Sequence, residues 1–149
     1  MGSTSDLRPF GGFFIARRNP PGMTKEITFR LDLPLKSKAR PRVARGHAYM
    51  PKEYKAWQAD ARRLLRMAWD SSDLGVLEHC EIHVVAHGPG RSDPDNLIGA
   101  LLDAMQPDKK TGWEGVIKDD RVTVVPVISF AWVRSKDQFW DVRILTGVD

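Results

Sequence analysis

Acidic residues gather in this chain where a polar stretch gives way to an apolar one. In RSDPDNLIGALLDA, residues 91–104, Asp93 and Asp95 flank Pro94, and Asp103 stands near the end of a hydrophobic run. Proline fixes its own φ at about −65° and biases the preceding residue toward an extended backbone, while Asp95 or Asn96 is suited to cap a helix starting at Leu97. Side chains at i and i+2 of an extended segment point the same way, so Asp93 and Asp95 are expected to converge. Two carboxylates that close repel each other, which raises one pKa or demands a cation. A cluster of hard oxygen donors without histidine or thiolate suits Mg²⁺ or Mn²⁺. Further along, in GVIKDDRV, Asp119 and Asp120 stand immediately before an apolar segment. The intervening helix and return loop could bring them to the first pair. The same residues also read as a helix cap with a loop acid, and as a turn before a strand, and spacing alone does not separate these readings.

The elements that must position these acids follow from periodicity. From Glu26 the sequence alternates, with Ile27, Phe29 and Leu31 on one side and Thr28, Arg30 and Asp32 on the other, the pattern of a half-buried strand. LKSKARPRVARGHAYMP then crowds Lys36, Lys38, Arg40, Arg42 and Arg45 around Pro41 and Gly46, which predicts an exposed loop. Pro51 opens a helix in which Tyr54, Trp57, Ala61, Leu64, Leu65 and Ala68 recur at helical spacing while Lys52, Lys55, Arg62 and Arg66 fall opposite. Those four cations serve either as an ordinary solvated face or, with the basic loop before them, as a surface for phosphates.

A second strand spans CEIHVVAH, with Ile82, Val84 and Ala86 facing one way and Glu81, His83, Val85 and His87 the other. His79, His83 and His87 share that second face, but their spacing matches no known ligand pattern. Two more strands are predicted at residues 121–133 and 139–145, joined by a polar turn around RSKDQ, with Pro126 marking a bulge or an edge in the first. Strand, basic loop, helix, strand, acidic helix, strand, strand makes a small α+β domain.

Composition agrees with a single globular unit. The chain has 149 residues, 42% hydrophobic and 28% charged, and no apolar run approaches the roughly 20 residues that span a bilayer. Residues 1–25 mix Gly, Pro, Ser and Arg without a period and read as a flexible arm ahead of a domain at 26–149. Cys80 is the one cysteine, so no internal disulfide forms, and with no clear secretory cleavage site this predicts a reducing, cytoplasmic setting. Lys and Arg number 23 against 19 Asp and Glu, a net charge of +4, which makes polyanions plausible partners and excludes little else.

DPDNLIGALLDAM followed by GVIKDDRV resembles the D-x-D-N-helix and W-x-D-D signatures of the RusA family of Holliday junction resolvases. KARPRVARGHAYMPKEYKAWQADARRLL is similar to the K-x-R-P-R loop and following helix of the family's phage members. The resemblance covers about residues 26–145 and rests on three pieces in the right order. It implies a mixed sheet of about four strands with two main helices, assembled as a homodimer. It also implies a Mg²⁺-dependent endonuclease that cuts opposed strands of a four-way DNA junction, in the cytoplasm of a bacterium or a phage-infected host. Carried onto this chain, Asp93, Asp95 and Asp120 are the catalytic acids, the same three with Asp119 are the metal ligands, and Asp103 matches a further family acid. The basic loop, the cationic helix face and Lys118 are then the expected DNA contacts.

One position departs from that pattern. The resemblance leads one to expect a lysine four residues after the second acid of D-x-D, and position 99 is glycine. Glycine inside a helix costs about 1 kcal/mol relative to alanine, so Gly99 either permits a close approach or is tolerated. Lys109, Lys110 or Lys118, on the return loop, could supply the missing charge, while Trp113 in that loop is expected to anchor it in the core. Two other readings remain: a junction-binding protein without turnover, and a small basic interaction domain whose acids only cap and turn.

Overall fold

The structure, a computed structural model, describes residues 24–147, so most of the expected N-terminal arm lies outside the described residues. Eight elements follow one another: β1 (Thr24–Leu31), β2 (Arg42–Ala44), β3 (His47–Tyr49), α1 (Lys52–Asp70), β4 (Glu81–Gly88), α2 (Pro94–Met105), β5 (Val127–Arg134) and β6 (Phe139–Gly147). Four strands form one mixed sheet in the order β1-β6-β4-β5, and β2 with β3 forms a separate two-stranded hairpin. This is the expected α+β architecture with two helices. Among the described residues no helix is long and apolar enough to cross a membrane.

β4 lies inside the sheet because both of its faces are apolar enough to be covered. Ile82, Val84 and Ala86 are buried on the core face, and His83 and Val85 are buried on the other. β4 pairs parallel with β5 and antiparallel with β6. The polar turn at residues 135–138 therefore does not close a hairpin; it carries the chain over the end of β4, where Ser135 N–H donates to the Gly88 carbonyl. The alternation at 121–133 overstates β5. Residues 121–125 form a turn in which the Val124 and Val125 N–H groups both donate to the Arg121 carbonyl, and the strand begins after Pro126. β5 is an edge strand, as a proline at its entrance suggests, and it leaves Val127, Ile128, Trp132 and Val133 exposed.

The two helices cover one face of the sheet. α1 buries Tyr54, Trp57, Ala61, Leu65 and Trp69, a stripe at three- and four-residue spacing. α2 connects the parallel pair β4 and β5 and buries Leu97, Ala100, Leu101, Leu102, Ala104 and Met105. Its far end is tied to the return loop through one carbonyl, since Met105 O accepts from both Val116 N and Ile117 N. Gly115, at φ +86, makes that approach possible: a Cβ there would lie 2.6 Å from Met105 O. Trp113 is buried beside it, the core anchor its composition suggested.

The basic segment is exposed, as expected, but part of it is ordered by pairing. Arg42 to Ala44 ladder with His47 to Tyr49, and Arg45 (φ 52) and Gly46 (φ 78) make the two-residue turn. Two successive residues with positive φ match the twist of a tight hairpin.

Candidate functional site

The acids of D-x-D sit differently from the sequence expectation. Pro94 is the first helical residue, where its fixed φ and missing N–H cost nothing, and Asp93 rather than Asp95 or Asn96 is the N-cap. Asp93 is extended (φ −78, ψ 146), its carbonyl accepts from Asn96 N and Leu97 N, and its side chain makes no capping bond. Asp95 lies in the first turn of α2. Both carboxylates are exposed, and among the described residues neither is engaged in a hydrogen bond or ion pair. The exposed N–H end of a helix favours anionic groups, which eases the repulsion between the two acids.

Asp119 and Asp120 lie beyond the other end of α2. The chain is fixed there by Lys118 N–H to Leu77 O at 3.0 Å and, past the two acids, by Cys80 N–H to Val124 O at 2.8 Å. These ties hold the second acidic pair near the start of β4, whereas Asp93 and Asp95 follow its finish. A helix of 12 residues, about 18 Å long, separates the two ends. Asp119 is occupied by Arg121, whose N–H donates to Oδ1 at 2.9 Å and whose Nε lies 3.8 Å from Oδ2. Among the described residues no group of three or more His, Cys, Asp or Glu side chains is arranged to hold a metal ion. Asp93 and Asp95 thus share the N-terminal end of α2 and Asp119 with Asp120 lie beyond the other end; because Asp95 is helical, the extended i, i+2 geometry expected to converge the first two carboxylates does not occur.

For the metal implied by the resemblance, the donor chemistry of the first pair fits. Two hard, unengaged carboxylates suit a magnesium-like ion that keeps waters and substrate phosphates as its other ligands. Asp120 of the same chain does not join them. His83 and His87 are engaged elsewhere: His83 Nδ1 is bonded to the Ser129 hydroxyl with Glu81 near its other nitrogen, and His87 Nε2 is 3.1 Å from Asp141 Oδ2, while His79 is exposed.

A strap from the end of β1 crosses the core to reach α2. Trp57 Nε1–H and Trp140 Nε1–H both donate to the Pro34 carbonyl, at 2.7 and 3.4 Å. Leu35 N–H donates to Gln138 Oε1 at 2.9 Å, and Lys38 N–H donates to Asn96 O at 2.9 Å. The strap delivers Lys38 onto the side of α2 that carries Asp95, Gly99 and Asp103 on successive turns. Lys38 Nζ stands 3.4 Å from Asp103 Oδ1, and the Tyr54 hydroxyl donates to Asp103 Oδ2 at 3.3 Å. Burial, and then the Asp103 carboxylate, hold the Tyr54 hydroxyl's pKa above its ordinary value, so it stays a donor.

The expected cations divide into open and engaged groups. Arg40, Arg42, Arg45, Lys52 and Lys55 are exposed on the strap, the hairpin and the start of α1. Lys36 pairs with Glu53 at 3.7 Å, Arg66 with Asp70 at 3.6 Å and Lys118 with Glu78 at 3.9 Å, all accessible. Arg62 differs from its place on the expected solvated face: its Nη2 donates to the Asp103 carbonyl at 3.2 Å, and its Nη1 lies 3.6 Å from Asp108 Oδ1. Lys109 and Lys110, proposed substitutes for the lysine missing at 99, instead line a groove against α1 of about 680 Å³ with Lys55, Arg62 and Arg66. Lys118 stays at the Asp119–Asp120 end. The contact of Lys38 with α2, and the Tyr54 bond to Asp103, were not legible as site features; the glycine in the middle of α2 was the one signal of a close approach.

A family model described as Endodeoxyribonuclease RusA matches residues 32–144. No curated protein matches the chain.

Proposed function

The chain belongs to the RusA endodeoxyribonuclease family, a family of DNA endonucleases that resolve Holliday junctions, and from that premise we propose that it cuts four-way DNA junctions with Mg²⁺, or Mn²⁺, as cofactor. The observation that carries the reading is the family match over residues 32–144, which takes in both acidic pairs, the strap and both helices. Asp93 and Asp95 would hold the ion. When bound, the ion would supply charge stabilisation at the nonbridging phosphate oxygens and a more acidic water. The chain's own contribution is to hold those carboxylates at a helix N-terminus and to surround them with cations that orient the phosphodiester backbone.

Asp120, the remaining candidate catalytic acid, and its neighbour Asp119 enter this reading through a homodimer. Among the described residues β5 is an apolar edge strand with unpaired backbone on one side, the kind of edge that pairs with a second chain. The C-terminal end of β5 adjoins the segment leading to Asp93, because Trp132 Nε1–H donates to Gly88 O at 3.1 Å. The loop of Asp119 and Asp120 leads into its N-terminal end. Antiparallel pairing of two β5 edges would set the second acidic pair of one protomer toward the first pair of the other. Two symmetric sites also suit a junction with near two-fold symmetry.

Phosphate contacts are assigned to Lys36, Lys38, Arg40, Arg42, Arg45, Lys52, Lys55, Arg66 and Lys118, with Arg62 acting also as an internal brace. Affinity from such contacts falls steeply with salt. The test is incubation of the full chain with labelled four-way junction and linear duplex in Mg²⁺, Mn²⁺ or EDTA, with Asp95→Asn in parallel. Metal-dependent, junction-selective nicking that the substitution abolishes is the expected result; nicking that survives in EDTA or in Asp95→Asn refutes it. A second reading, junction binding with reduced or lost cleavage, is favoured by glycine at 99 and predicts retention of the junction without nicks.

A further inference from the structure

Gly99 faces a side chain rather than open space. A Cβ built at position 99 would lie 3.3 Å from Cδ and 3.8 Å from Cβ of Lys38, so the stem of that lysine runs across the helix where a larger residue would stand. The main chain of Lys38 is fixed one turn earlier, by its N–H bond to Asn96 O. Its ammonium then reaches Asp103 Oδ1 at 3.4 Å. Asp95, Gly99 and Asp103 occupy successive turns of one side of α2. Lys38 therefore lies in a notch between the acid at the helix N-terminus and the acid two turns on.

From this juxtaposition we propose that Lys38 is a catalytic residue of this chain, the cation that contacts the phosphate being cut, delivered from the strap through the notch that Gly99 leaves. The assignment rests on the nuclease reading above. In the present arrangement the ammonium is paired with Asp103 across a surface where the lysine side chain is 46% exposed. Such pairs are weak, so the ammonium exchanges Asp103 for a phosphate oxygen at little cost. Asp103 is not left bare by the exchange, because the Tyr54 hydroxyl remains on its other oxygen. In hydrolysis the oxygen of water bonds to phosphorus and one bridging P–O bond breaks. The proton lost by the water passes to solvent, and the departing sugar oxygen takes one from solvent. Lys38 makes and breaks no covalent bond; it balances the charge that grows on the phosphate oxygens as the bridging bond lengthens. Lys109 and Lys110 line the groove against α1 and Lys118 pairs with Glu78, so none of the three lies against Gly99 as Lys38 does.

The test separates rate from binding and moves the amine. Lys38→Met keeps an unbranched stem over Gly99 and removes the charge. Lys38→Ala combined with Gly99→Lys removes the strap amine and returns one from the helix itself. Single-turnover nicking of a four-way junction in Mg²⁺ is measured at saturating protein, and junction affinity is measured in EDTA. Lys38→Met should lower the rate roughly 100-fold, as loss of one preorganised charge contact does, while the dissociation constant changes less than about threefold, the range of one exposed phosphate contact. The relocated amine should recover at least tenfold of the lost rate. A Lys38→Met rate within about threefold of the parent overturns the assignment, as does a relocated lysine that folds, binds the junction and recovers no rate. A parent chain that never nicks junctions in any metal sinks the nuclease reading and this assignment with it; an active parent indifferent to Lys38 sinks the assignment alone.

Discussion

Arg62 distinguishes an internal brace from a DNA contact, and Arg62→Met is the perturbation that separates them. Its side chain is only 22% exposed; Nη2 donates to the Asp103 carbonyl at 3.2 Å and Nη1 faces Asp108 at 3.6 Å. A hydrogen bond from a charged donor contributes roughly 1.5–3 kcal/mol. The ion pair with Asp108, whose side chain is 12% exposed, adds up to about 1 kcal/mol, the upper end for a pair at the surface. Against this, Arg62 Nε is buried without a partner among the described residues, and replacing it returns about 1 kcal/mol of desolvation cost. The net destabilisation is about 0.5–3 kcal/mol, a fall of roughly 1–12 °C in Tm for a chain of this size. Asp108 amplifies the acid side of the effect. Burial works to raise its pKa, but the Thr111 hydroxyl, the Lys110 N–H and the charges of Arg62 and Lys110 outweigh it and hold the carboxyl below its ordinary value. A depressed carboxylate contributes stability that is present above its unfolded-state pKa and lost as pH falls through the folded one. Removing Arg62 should therefore narrow the stability gap between neutral and acid pH. Urea unfolding at pH 7 and pH 3, with junction affinity measured on the same samples, reads both effects. If Arg62→Met unfolds within 0.5 kcal/mol of the parent, the threshold for an ordinary surface change, yet loses junction affinity as Lys55→Ala does, Arg62 is a phosphate contact and the brace is wrong.

Three further outcomes are expected. Cys80 is buried and its thiol is pushed up to about 12, first by burial and then by Glu81, so it should resist alkylation at pH 8 until the chain unfolds; fast labelling of the native protein would contradict this. The stability linked to that thiol is fully present below its ordinary pKa of 9.0 and declines as pH rises from there toward 12, readable as a falling urea midpoint. Gly115→Ala should cost about 2–4 kcal/mol, because it combines a left-handed backbone with a Cβ pressed on the Met105 carbonyl; a urea midpoint equal to the parent's would show that the return loop relaxes freely.

Regular burial made much of this fold readable. The stripe of Tyr54, Trp57, Ala61 and Leu65 gave α1, and the alternation through Ile82, Val84 and Ala86 gave β4, because each pattern has a single way to hide its apolar side. The start of α2 was misplaced because Pro94 was weighed as a restraint on Asp93 more than as a first helical residue. The neighbours of β6 were hidden for a different reason: strand order depends on which strand has two apolar faces, and a short turn at 135–138 does not by itself say whether β5 and β6 pair or are separated by β4. Of the candidate site, the open carboxylates of Asp93 and Asp95 were visible as residue types. Their separation from Asp119 and Asp120 was not, since it follows from the parallel pairing of β4 and β5 around a helix of fixed length.

The strap is held through main-chain atoms: a proline carbonyl shared by two indoles, a leucine N–H on a glutamine and a lysine N–H on an asparagine carbonyl. Most residue types could provide those same groups. Leu33 is buried and Lys38 lies against α2, but the outward side chains of the strap, Lys36 and Arg40 among them, can change without loosening the scaffold beneath them, which makes that outer face the economical place to alter contacts with a substrate.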